Sequence, residues 1–184
     1  MNVYDFDKTI YDGDSTVDFY LFCLKKKPAL IKYIFTQCSG LLLYIAKQCD
    51  KTQFKQKFHS FLNGIDDVDC YVSEFWKKKS HKIKAWYREN QQDDDVIISA
   101  SAEFLLTPQF PNTIGSCVNK NTGAYESINC YGEEKVKRFL EKYPNGIIDE
   151  FYSDSFSDYP LASIAKKSFY IKKNSITEWK IIKE

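Results

Sequence analysis

A short extended run, NVYDF at residues 2–6, is followed by 75 residues, 16–90, in which nothing reads as a strand. Phe19, Phe22 and Cys23 recur at helical spacing, as do Phe54, Phe58, Phe61 and Leu62, then Val72, Phe75 and Trp76. Residues three and four apart share one face of a helix, so each set marks a stripe turned inward. Pro28 suits the first turn of a helix, and Asn63-Gly64 suits a stop. After the polar run 91–95 the texture changes. A short apolar strand over 96–98 ends at Ser99, a helical turn follows near 102–106, and a strand near 114–118 leads to a hairpin turn at Asn121-Thr122-Gly123. A helix over 133–142, a strand over 147–152, a helix over 159–166 and a last strand over 168–171 complete the pattern. Strand alternating with helix selects a parallel sheet joined by crossovers. The expectation is an α/β fold: a Rossmann-like three-layer sandwich with a parallel central sheet, built from residues 1–14 and 91–184, with an all-helical domain inserted over 15–90.

At 184 residues and 43% apolar side chains the chain can bury a real core, and disorder is excluded. A net charge of +1 argues against bulk electrostatic binding of nucleic acid. Cys23, Cys38, Cys49, Cys70, Cys117 and Cys130 never form a CxxC pair, and His59 and His81 are the only histidines, which leaves little for a zinc site. The thiols read as small buried hydrophobes. No basic-then-apolar leader precedes the first strand, so the expected compartment is the reducing cytoplasm. Residues 28–47 form the most apolar stretch, but its longest uncharged run is 14 residues, 33–46. A spanning helix needs roughly 17–25. The stretch is read as a buried or interfacial helix, with Ile34, Leu41, Leu42, Leu43 and Ile45 forming the insertion's own core.

Charge divides along the same boundary. Residues 19–92 carry 13 Lys and one Arg against six acids, and the remainder carries 12 basic against 19 acidic residues. Most of the lysines are solvated helix ends. A basic rim of this kind also suits an anionic substrate or peripheral contact with an anionic membrane.

The chemistry concentrates in Asp5-Phe6-Asp7-Lys8-Thr9, directly after the first strand, where open α/β sheets place ligands. Residues i and i+2 of extended backbone point to one side, so Asp5 and Asp7 face the same ligand while Phe6 packs inward. Two carboxylates so close favour a bound cation or a shared proton, and a hard oxygen-seeking ion such as Mg²⁺ meets that demand. The strand over 96–98 delivers Ser99 to the same edge, the run Asp154-Ser155-Phe156-Ser157-Asp158 brings two further acids, and Lys135 lies 19 residues before Asp154 at the head of a helix. Lys137 is its rival, two positions along and on another helix face.

DFDKT at 5–9, IISAS at 97–101, Lys135 within GEEK and YSDSFSDYPL at 152–161 together resemble the haloacid dehalogenase-like (HAD) superfamily, in its phosphoserine-phosphatase-like branch with a helical cap. The resemblance spans nearly the whole chain, with the helical block where that branch inserts its cap. It implies a Mg²⁺-dependent phosphatase in which Asp5 is the nucleophile, Asp7 the general acid and base, and the ion is held by the Asp5 carboxylate, the Asp7 backbone carbonyl and Asp154. Ser99 and Lys135 would hold phosphate oxygens, Asp158 would orient Lys135 or a metal-bound water, and Thr9 would tie down the loop.

Asp14, nine residues past Asp5, stands where phosphoserine phosphatases carry a substrate-facing Glu, and it equally suits a helix cap. Two departures count against phosphoserine itself. The cap body lacks an Arg to clamp a carboxylate, and Ala100-Ser101 replaces the branch's Gly-Gly. The expected substrate is a small soluble phosphomonoester. A phospholipid headgroup, as in phosphatidylglycerophosphate, is the alternative, and a non-catalytic HAD-like binding module is the alternative of another class. The sequence sets no oligomeric state.

Overall fold

The computed structural model describes residues 1–180 and places the N-terminal run inside a six-stranded sheet. The strands are β1 (Val3–Tyr4), β2 (Val96–Ala102), β3 (Thr113–Ser116), β4 (Glu150–Ser153), β5 (Lys167–Lys172) and β6 (Ser175–Glu178), lying side by side as β3-β2-β1-β4-β5-β6. Neighbours run parallel except β5 and β6, which pair antiparallel at the edge. β1 is secured on both sides, Val3 opposite Val96 and Phe151, and Tyr4 opposite Ile97 and Tyr152. Alternation then sends Val3 into one cluster with Ile98, Phe139, Phe151 and Leu161, and Tyr4 into another with Phe6, Ile97, Trp76 and Phe110. A parallel sheet buried on both faces is the three-layer α/β sandwich that the sequence pattern predicts.

The helices between β1 and β2 are α1 (Ser15–Lys26), α2 (Ile34–Ile45), α3 (Lys51–Phe58), α4 (Val68–Lys79) and α5 (Ala85–Asn90), with 3-10 turns at Pro28–Tyr33, His59–Gly64 and Ser80–Lys82. After β2 come α6 (Glu103–Leu106), α7 (Glu133–Lys142) and α8 (Tyr159–Ile164). Three starts are capped by aspartates: Asp14 accepts from the Val17 amide, Asp50 closes a reciprocal capping box with Gln53, and Asp67 accepts from the Cys70 amide. Each satisfies a donor that the helix itself leaves free.

The helical insertion does not keep a core to itself. Phe19 and Cys23 of α1, Phe75 and Trp76 of α4 and Tyr87 of α5 share a cluster with Tyr4, Phe6, Ile97 and Phe110. The Trp76 indole N–H donates to the Leu105 carbonyl at 2.6 Å.

Several expectations are corrected. The apolar stretch 28–47 is a 3-10 turn followed by α2, and α2 faces the opposite way to its hydrophobicity. Its buried residues are Gln37, whose amide donates to the Phe58 carbonyl at 3.0 Å, and Gly40, where an added Cβ would lie 2.8 Å from the Lys57 Cβ. That close approach to α3 uses the small side of α2 and leaves Leu41, Leu42 and Ile45 exposed, with Ile34 and Leu43 half-buried. Cys38 and Cys70 are likewise exposed, and only Cys23 and Cys130 are fully buried. β2 runs on past Ser99 to Ala102, with its register against β3 shifting after Ile98. The hairpin about 121–123 reduces to a single bridge between Val118 and Tyr125. β6 is an addition: all four of its residues are exposed, so no apolar face announces it.

Candidate active site

The chain segments that follow β1 and β4 meet the start of α7 at one buried cluster. Beyond β1 the Asp5 amide still donates to the Tyr152 carbonyl at 2.9 Å, which holds the residue at the sheet edge, 8% exposed. Its Oδ1 accepts from Lys135 Nζ at 2.7 Å and its Oδ2 from the Thr9 hydroxyl at 3.1 Å. Lys135, in the first turn of α7 and 1% exposed, also donates to Asp158 Oδ2 at 2.8 Å. That oxygen accepts a further bond from Ser153 Oγ at 2.7 Å, whereas Asp158 Oδ1 is buried with no hydrogen-bond partner among the described residues. One ammonium thus stands between two buried carboxylates. Burial lifts the Asp5 carboxyl well above the usual range, with Lys135 pulling it back and Asp158 pushing it further up. For Lys135 burial works the other way, but the two carboxylates outweigh it and hold the ammonium charged.

The segment after Asp5 turns sharply. The Phe6 carbonyl accepts from the amides of both Ile10 and Tyr11 at 3.0 Å, and the Lys8 amide donates to the Gly13 carbonyl at 2.9 Å. Asp7 is thereby aimed at the head of α1 and the end of β2. Its Oδ1 accepts from the Ser15 amide at 2.7 Å and its Oδ2 from Ser101 Oγ at 2.5 Å. Burial pushes its carboxyl up to about 6, the Asp14 charge adding to the rise and Ser101 and Ser15 opposing it. Thr9 Oγ1 links the two loops, donating to Asp5 and accepting from the Asp154 amide at 3.0 Å.

Of the residues singled out in the sequence, Asp5, Thr9, Lys135 and Asp158 form one bonded cluster, Asp154 joins it through its backbone, and Asp7 stands beside it. Ser99 is buried at the end of the same sheet, its Oγ accepting from the Ser101 amide at 3.1 Å. The Asp14 carboxylate is exposed, and its Oδ1 caps α1 by accepting from the Val17 amide at 3.0 Å. Lys137 is exposed and lies 4.0 Å from Glu141, so Lys135 is the lysine of the cluster.

Two side chains escaped the sequence reading. Ser101 holds Asp7, and its place two residues after Ser99 on an extended strand was the available signal. Lys55, from α3, donates to the Ala100 carbonyl at 2.8 Å and to Asn129 Oδ1 at 3.2 Å. It has no carboxylate partner among the described residues. Burial pushes its ammonium down to about 8, Asp7 drawing it back up and Lys51 adding to the drop. Nothing in the sequence distinguished it from the insertion's other lysines.

The profile of the haloacid dehalogenase-like hydrolases matches residues 3–163. The chain belongs to that family. The match takes in Asp5, Asp7, Ser99, Lys135, Asp154 and Asp158 together with the whole helical insertion. Among solved structures, a Bordetella pertussis Tohama I protein of unknown function aligns with a TM-score of 0.69 at 16% identity, covering 91% of this chain and 87% of its own. A phosphoserine phosphohydrolase-like protein from Francisella tularensis subsp. tularensis SCHU S4 aligns with a TM-score of 0.53 at 18% identity, covering 91% and 86%. No curated protein matches at the sequence level.

The donor set of this HAD-like hydrolase fits a hard divalent cation. Among the described residues no three His, Cys, Asp or Glu side chains gather as ligands. Mg²⁺ commonly takes one or two carboxylates and fills its remaining positions with water and phosphate oxygens, so Asp5 and Asp154 with the Asp7 carbonyl would suffice as its protein ligands. Asp154 is half-buried, forms no salt bridge among the described residues, and has its carboxyl raised by burial. The Lys8 and Lys135 charges draw that carboxyl back down without a direct bond, and a cation would add to their effect.

Proposed function

We propose that this hydrolase is a Mg²⁺-dependent phosphatase acting on a phosphomonoester through an aspartyl-phosphate on Asp5, with residues 15–90 as a cap over a core of 1–14 and 91–184. An Asp5 oxygen bonds to phosphorus as the bond to the leaving oxygen breaks, and Asp7 gives its proton to that oxygen. Water then attacks the phosphorus, Asp7 takes its proton, and Asp5 is released with inorganic phosphate. Asp5, Asp154 and the Asp7 carbonyl would hold Mg²⁺, which offsets charge on the transferring phosphoryl group. Lys135 and Ser99 hold phosphate oxygens, Lys135 also easing the approach of an anion to Asp5. Asp158 and Thr9 fix Lys135 and the nucleophile in place.

The observation that carries this reading is the contrast between two neighbouring acids. Burial raises both carboxyls, so the contrast lies in their partners: Asp5 is bonded to a charged lysine, which favours the ionised form a nucleophile needs, while Asp7 is bonded only to uncharged donors, which leaves its proton free to be given and taken.

The substrate favoured is a small soluble phosphomonoester, and the six unpaired thiols accord with a reducing, cytoplasmic setting. A phospholipid headgroup is the second reading, favoured by the exposed residues of α2. Turnover of p-nitrophenyl phosphate with Mg²⁺, its loss with chelator and its abolition in Asp5→Asn with the fold intact are the expected results. Activity retained in Asp5→Asn removes the covalent route, and no turnover by a folded, Mg²⁺-bound protein leaves a non-catalytic binding module.

A further inference from the structure

α2 is amphipathic in reverse. Phe35, Cys38, Leu42 and Ile45 follow one another at spacings of three, four and three, which is one stripe of a helix, and that stripe faces outward. Phe35 is 80% exposed, and Leu42 and Ile45 are each 68% exposed, with Ile31 and Leu41 flanking them in the open. Scattered exposed apolar residues need no explanation, but a contiguous stripe marks an interaction surface.

The charges around the stripe say what covers it. From Phe19 to Cys49 the chain carries five lysines and no acid. Lys26 and Lys27 are paired with Glu74 and Asp66, whereas Lys25, Lys32 and Lys47 are exposed and make no salt bridge among the described residues. Lys32 and Lys47 bracket α2 at its two ends, and the helix between them is uncharged. A second copy of the chain seated here by two-fold symmetry would set like charges against each other. A surface both apolar and anionic matches the patch, and a phospholipid bilayer is such a surface.

The segment Pro28–Ile45 is also long and apolar enough to cross a membrane. Its packing opposes that. The inner side of α2 is fixed to α3 through Gln37 and Gly40, so a spanning α2 would draw Lys51, Lys55 and Lys57 into the hydrocarbon. Lying in the interface with Phe35, Leu42 and Ile45 inserted, α2 keeps those lysines out of it.

We propose that the outer face of α2 docks this protein reversibly onto an anionic membrane surface. The docking does not depend on the phosphatase reading, since none of these residues belongs to the proposed site. The test is sedimentation of the full chain with sucrose-loaded vesicles of phosphatidylcholine alone and of an equal mixture with phosphatidylglycerol, each at about 50 and about 500 mM salt. Expected are binding to the anionic vesicles, at least about tenfold weaker binding to the neutral ones, and a comparable loss at high salt. The double variant Phe35→Glu, Leu42→Glu, on exposed positions that spare the fold, should lose the binding while turning over p-nitrophenyl phosphate like the parent. The proposal is overturned by absence of binding at low salt, by equal binding of the double variant, by association that only detergent reverses, or by a dimer in analytical ultracentrifugation that the double variant abolishes.

Discussion

Replacing Lys55 by Met should make this protein more stable and less active. Lys55, itself half-buried, carries its charge into a seam where its partners are an uncharged carbonyl and an amide oxygen. The fall of its ammonium from 10.5 to about 8 corresponds to a penalty of about 3 kcal/mol while the group is charged. Met fills a similar volume without that penalty. The loss is one hydrogen bond, about 1 kcal/mol, because Ser116 Oγ reaches both the Ala100 carbonyl and Asn129 Oδ1 and can satisfy only one of them. The balance is a gain of about 2 kcal/mol, or about 4–8 °C in Tm for a chain of this size. A lysine depressed in the fold destabilises below its folded value, and the effect fades as pH rises towards the unfolded one. The gap between parent and variant should therefore be full at pH 7 and close between about pH 8 and 10.5. Thermal melts across that range measure it. The Lys55 and Asp7 charges act on each other, so on the proposed mechanism the same variant should lose at least about tenfold in kcat/KM. A variant less stable than the parent at pH 7, or a gap that persists to high pH, would refute the account of Lys55.

Lys135→Met should do the opposite, leaving Asp5 and Asp158 buried without counter-charge at a cost of about 3–5 kcal/mol, read as a lower Tm that adding Asp158→Asn partly restores. His59 gives an acid-side prediction. Its ring is 3% exposed, with Nδ1 2.9 Å from the Lys55 carbonyl, and burial lowers it to about 4. A histidine depressed in the fold stabilises above its unfolded value and loses that contribution as pH falls, here from about 6.5 to about 4 and worth about 3 kcal/mol. His59→Gln should flatten that part of the stability profile, and an unchanged slope between pH 6.5 and 4 would count against it.

The sheet and its acids were legible because they rest on local rules. An extended run ending in two acids, a buried strand ending in serine and a lysine opening a helix each place a functional group at an element's end, and a parallel sheet brings those ends together. What escaped depended on contacts between distant segments. Lys55 looks like any solvated lysine until α3 is laid against Ala100. The apolar residues of α2 look like core until Gln37 and Gly40 prove to be the contact with α3, since periodicity locates a stripe but not the side on which a neighbour lies. β6 was missed because an exposed edge strand carries no alternation to read.

The insertion is attached by two kinds of seam. α1, α4 and α5 are bound to the sheet through rings and aliphatic side chains, and parting them would wet a large oily surface. α3 meets the 119–131 segment through amide and hydroxyl contacts: Asn129 N to Thr52 Oγ1 at 3.2 Å, Tyr125 N to Gln56 Oε1 at 3.1 Å, and the Lys55 bonds. Contacts of that sort exchange with solvent at little loss. The consequence is an uneven attachment: α3 can leave this hydrophilic joint at a lower cost in wetted apolar surface than α1, α4 and α5 can leave the sheet.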